Sequence, residues 1–96
     1  MNIKLIVEYE GTRYHGWQAQ AGTPTVEAAL RDAIQSLTGE SPRLSAAGRT
    51  DAGVHALGQV VNFNLEHPFP VAELPGALNA RLAPDVAVRH AELVDR

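Results

Sequence analysis

The sequence predicts an α+β domain. Three observations predict it: an alternation of apolar and polar residues over 2–9, a helical spacing of apolar residues from Val26 to Leu37, and turn signals that cut the rest into two strands, a helix and a last strand. Ninety-six residues make a single domain spanning 1–96. At that size about 60 to 65% of the unfolded surface is buried, enough for one modest core.

Ile3, Leu5, Val7 and Tyr9 share one side of residues 2–9 and Lys4, Ile6 and Glu8 the other, the period of a strand with one buried face. A loop rich in glycine and aromatics comes next, from Glu10 to Gly22. Thr23 and Pro24 then supply a helix start, a hydroxyl cap followed by proline at the first position. Val26, Ala29, Leu30, Ala33, Ile34 and Leu37 recur at helical spacing, and Gly39 gives the stop. Residues 43–49 form the second strand and 57–65 the third, the latter with Val61, Phe63 and Leu65 on one face. Residues 70–82 form a second helix through Val71, Leu74, Leu78 and Leu82, its first turn weakened by Pro75 and Gly76. A last strand covers 86–94. The order β-α-β-β-α-β is ferredoxin-like, with two helices on one face of a four-stranded antiparallel sheet.

Composition narrows the function. Hydrophobic residues are 45% and charged residues 20%, values of an ordinary globular chain. No apolar run approaches the roughly 20 residues that cross a bilayer, and the start lacks the apolar stretch of a signal peptide, so the expected location is the cytoplasm. The absence of cysteine excludes disulfides, thiolate catalysis and cysteine-held metals. His15, His55, His67 and His90 have no ligand spacing, so no metal site is expected. The net charge of −3 argues mildly against a nucleic-acid partner. Net charge, however, does not say whether Arg13 and Arg49 gather on one face.

The stretch that bears chemistry is Gly48-Arg49-Thr50-Asp51-Ala52-Gly53-Val54-His55-Ala56. In extended chain Arg49 and Asp51 project from the same side. A cation that close lowers an aspartate pKa, whereas burial raises it. Even a net rise of about 2 units leaves the carboxylate roughly 90% ionised at pH 7. Asp51 therefore suits a nucleophile or an electrostatic stabiliser better than a general acid. On spacing alone, a turn aspartate with an exposed salt-bridge partner is the commoner arrangement.

The nine-residue string 48–56 resembles the catalytic motif of the TruA family of tRNA pseudouridine synthases. Residues 9–18, Tyr-Glu-Gly-Thr-Arg-Tyr-His-Gly-Trp-Gln, resemble the family's Y-D-G-x-x-Y-x-G-W-Q segment, with Glu10 in place of the commoner aspartate. Residues 58–63 are similar to the strand after the motif, and residues 78–88 to its N-x-x-L-P-x-D-I-A-V segment. Order and spacing agree over essentially the whole chain.

The resemblance implies an isomerase that converts uridine to pseudouridine in the anticodon stem-loop of tRNA, without cofactor or metal. Asp51 matches the nucleophile, attacking uracil C6 or ribose C1′, and Arg49 matches its partner, which also binds RNA. Arg13, Tyr14, Gln18 and His55 are the further RNA-binding candidates, while Tyr9 and Trp17 are expected to pack. The resemblance further implies a homodimer and a longer two-domain chain: a family segment of the type F-H-A-R-F-S-A-x-x-R-x-Y is expected beyond Arg96. The rival functions are a non-catalytic RNA-binding module or an oligomerisation module of the same fold. The RNA-binding module requires aromatic residues on the outer face of the middle strands, and Phe63 is expected to face the core.

Overall fold

The computed structural model describes residues 1–9, 25–46 and 56–94. Its elements are β1 (Asn2–Tyr9), α1 (Val26–Thr38), β2 (Ser45–Ala46), β3 (Ala56–Asn64), α2 (Leu74–Asn79), preceded by a 3-10 turn at Val71–Glu73, and β4 (Val86–Leu93). The strands lie in the order β2-β3-β1-β4, and every pairing is antiparallel. This is the ferredoxin-like arrangement: β1 and β3 are central although β2 and β3 are consecutive.

The alternation of β1 is realised residue by residue, with Ile3, Leu5, Val7 and Tyr9 buried. Across the ladder Leu5 meets Val61 and Ile3 meets Phe63, so the buried faces of β1 and β3 coincide. Val26, Leu30, Ala33 and Ile34 of α1 and Leu74 and Leu78 of α2 join the same cluster, which places both helices on that face.

The start of α1 differs from the expected cap at Thr23. Thr25 is the N-cap: its backbone is extended, and its hydroxyl accepts from the Ala28 N–H at 3.3 Å. The core sets this phase, because Val26 begins the buried series that continues at Leu30, Ala33 and Ile34. Glu27 sits in the first turn, where the helix dipole favours an anion, and accepts from Arg31 at 2.9 Å. Gly39 ends the helix in the left-handed region, φ 81°, donating to the Gln35 carbonyl.

The second helix is shorter than residues 70–82. Pro75 has no N–H and its ring clashes with the carbonyl four residues back, so regular α-helix cannot run through from Val71. The chain takes the 3-10 turn first, and α2 begins around the proline. Hydrogen bonds from Arg81 and Leu82 to the Leu78 carbonyl carry turns onward to Leu82.

Two side chains tie the elements together. The Glu40 carboxylate, just past α1, accepts from the backbone N–H groups of Glu66 (2.8 Å) and His67 (3.1 Å) and contacts the His67 ring at 3.3 Å. The Glu66 N–H above all holds its pKa below the usual glutamate range. A carboxyl whose folded pKa is depressed contributes stability above its unfolded pKa and loses it as pH falls through the folded value. The gap in urea midpoint between the native chain and Glu40→Gln is therefore expected to be constant near neutrality and to close below the ordinary carboxylate range. A gap that is flat down to the acid transition contradicts this role.

Asn79, at the end of α2, lies against the edge strand. Its amide donates to the Val88 carbonyl at 3.0 Å and accepts from the Val88 N–H at 2.7 Å, as a neighbouring strand would. Asn79→Ala leaves both backbone groups without that partner and is expected to cost about 1 to 3 kcal/mol. In a domain of this size, that lowers the thermal midpoint by at least about 4 °C. A midpoint within a degree of the native chain's would contradict it.

Candidate active site

Asp51, Arg49 and His55, together with Arg13, Tyr14, Gln18 and Trp17, lie outside the described residues. What is described is the scaffold to which their segments are joined. Residues 10–24 leave β1 at Tyr9 and rejoin the described chain at Thr25; residues 47–55 leave β2 at Ala46 and rejoin at Ala56. Tyr9 pairs directly with Ala56 across the β1–β3 ladder. The two segments singled out by motif are thus attached to paired residues, whose Cα atoms lie about 5 Å apart in an antiparallel ladder.

The sheet is irregular near this end. Between Val7 and Tyr9 the β1–β3 register shifts: Val7 meets Gln59 but Tyr9 meets Ala56, so Leu57 and Gly58 oppose Glu8 alone. Between Ile6 and Val7 the β1–β4 register shifts as well, with Arg89 as the extra residue. Each is a bulge, a device that bends a strand and re-aims the residues beyond it. The β4 bulge also switches which residues turn inward. Val86 and Val88 are buried before it; after it Ala91, opposite Leu5, packs against the core, while Leu93, opposite Ile3 at the strand end, is 59% exposed. His90 and Glu92 are thereby left on the outer face.

Tyr9 is 3% exposed and belongs to the core, as expected of it, and so anchors the start of the first segment. Phe63 is likewise in the core. On the outer face the middle strands present Lys4, Ile6 and Glu8 from β1 and Val60, Asn62 and Asn64 from β3, none of them aromatic. This surface does not supply the stacked rings of an RNA-recognition module.

Charges on this face are largely compensated. Glu8 accepts from Arg89 at 2.8 Å, Lys4 lies 4.0 Å from Glu92, and Glu92 also contacts His90 at 3.2 Å. Pairs this exposed contribute at most about 1 kcal/mol. Their importance is that Arg89, close to the bulges, is already occupied by a carboxylate. Among the described residues no group of three His, Asp or Glu side chains is placed to hold a metal ion. Sequence reasoning did not single out Arg89, Asn79 or the bulges. The only available signal was the change of apolar phase in β4, where Val86 and Val88 give way to Ala91 and Leu93.

The scaffold is that of a ferredoxin-like domain whose paired strand ends carry two sequence segments of one enzyme class. Comparison with known proteins agrees: a family model described as tRNA pseudouridine synthase matches residues 5–96. The chain is 46% identical to tRNA pseudouridine synthase A of Geotalea daltonii, over 97% of its own length and 38% of that protein's. It is 48% identical to the protein of the same name from Caldicellulosiruptor saccharolyticus, over 94% of its length and 37% of the relative's. For the Methylorubrum extorquens protein, also of that name, the identity is 49%, over 95% and 37%. The chain belongs to the tRNA pseudouridine synthase family, and it spans under two-fifths of the length of these relatives.

Proposed function

We propose that this chain is the amino-terminal, motif-bearing domain of a longer two-domain enzyme that converts uridine to pseudouridine in the anticodon stem-loop of tRNA, with Asp51 as nucleophile. The observation that carries the proposal is the joining of the GRTDAGVHA segment to the sheet at Ala56, directly opposite Tyr9, where the other family segment begins. The family match and the names of the relatives support the substrate and the reaction.

The chemistry is set by the residue types. Isomerisation breaks the C1′–N1 bond, turns the uracil, forms a C1′–C5 bond and releases the C5 hydrogen as a proton, while N1 takes up a proton from solvent. A carboxyl group attacks uracil C6 or C1′ as its anion, and the arginine two residues before Asp51 favours that ionised state. The glycosidic carbon is hidden inside a stacked helix, so the nucleotide is extruded at a cost of a few kcal/mol. The planar guanidinium of Arg49 suits the vacated position and binds phosphate. Arg13, Tyr14, Gln18 and His55 are proposed as further RNA contacts, the cytoplasm as the location, and a homodimer as the active form.

Release of tritium from tRNA labelled at uracil C5 tests the activity directly. The longer protein is expected to release one equivalent of tritium for each uridine converted. No release from a tRNA lacking the modification would overturn the proposal.

A further inference from the structure

The outer face of the sheet holds a second feature, at the end opposite the paired anchors Tyr9 and Ala56. The polar residues Asn2, Arg43, Ser45, Asn62 and Asn64, together with Phe63 and Val94, line a concavity of about 450 Å³. Asn2 is paired with Asn64 and Ser45 with Asn62. Their neighbours Ile3, Leu44 and Phe63 point into the core, so these four side chains share the face away from the helices. Seven strand steps separate Asn2 from Tyr9, about 23 Å.

The charge here is of one sign. No acidic side chain lines the concavity among the described residues. Lys4, Arg31 and Arg89 each lie within 4.0 Å of a glutamate, and Arg81 donates to Ser36 Oγ and the Ala77 carbonyl. Arg43 has no such partner among the described residues and is exposed. In a chain of net charge −3, this places an uncompensated guanidinium among three amides and a hydroxyl.

That donor set selects its ligand. A guanidinium forks onto phosphate oxygens, and amides and hydroxyls both donate and accept, as phosphate and a ribose 2′-hydroxyl require. Phe63, the aromatic residue of the lining, is 4% exposed and belongs to the core, so it offers no ring face on which a base could stack. We infer that the Arg43 concavity binds the sugar–phosphate backbone of the tRNA, as a contact that positions the substrate without reading its sequence. The inference rests on the proposed tRNA activity.

Arg43→Ala, Arg43→Lys and Arg43→Glu in the longer protein test it, with tRNA affinity measured by filter binding between about 50 and 200 mM salt. Arg43→Ala is expected to weaken binding by about 3- to 10-fold and to reduce the slope of log affinity against log salt by about 1. Arg43→Lys retains the slope, Arg43→Glu loses more affinity than alanine, and the single-turnover rate at saturating tRNA is unchanged in all three. A native protein that modifies tRNA while Arg43→Ala binds it with native affinity and slope overturns this inference alone. A native protein that neither binds nor modifies tRNA removes the functional proposal, and the inference with it.

Discussion

Asp51→Ala is expected to lower uridine isomerisation by on the order of 10⁴-fold or more, the scale of losing an attacking group. The variant should fold like the native protein, because the described core of sixteen apolar residues, drawn from every strand region and both helices, is built without Asp51. Binding of tRNA should change only a few-fold, since affinity comes mainly from phosphate contacts. Asp51→Asn separates charge from shape: it keeps the side chain's size and removes its anion, so it should be as inactive as alanine. Single-turnover tritium release with the thermal midpoint recorded beside it checks all three statements. An asparagine variant within ten-fold of the native rate would show that the carboxylate does not attack.

The second large effect lies in the core. Leu5 is fully buried on the central strand, facing Val61 on one side and Ala91 on the other. Leu5→Ala is expected to cost about 2 to 5 kcal/mol through lost burial and the cavity left behind. Against a total stability of about 5 to 15 kcal/mol, that is a large fraction. The neighbouring Ile6 is only half-buried, on the outer face, so Ile6→Ala should cost clearly less. Urea unfolding of the two variants measures the contrast. Equal losses would mean that the outer face is as covered as the inner one.

These expectations draw on features that differ in how readable they were. β1 was legible because every alternate residue is apolar, and Phe63 could be assigned to the core from Val61 and Leu65 beside it. The start of α1 was misplaced because Thr23-Pro24 and Thr25 both satisfy the local chemistry of a cap, and only the burial of Val26 chooses between them. The length of α2 was overestimated because apolar spacing continues through Val71 and Leu82, while the proline restriction acts on the backbone between them. Asn79's hold on Val88 was invisible, since a side-chain amide replacing a strand partner leaves no periodic trace. The candidate site is a different case. Residue chemistry carried Asp51 and Arg49 no further than an ion pair at a turn. The likeness of the nine-residue string to a catalytic motif supplied the rest, and the described scaffold adds the pairing of Tyr9 with Ala56.

The most direct measurement is a position-resolved map of pseudouridine in unmodified tRNA after incubation with the longer protein and with its Asp51→Ala variant. New pseudouridine is expected within the anticodon stem-loop from the native protein and none from the variant. Pseudouridine at the same positions in both samples, or none in either, would contradict it.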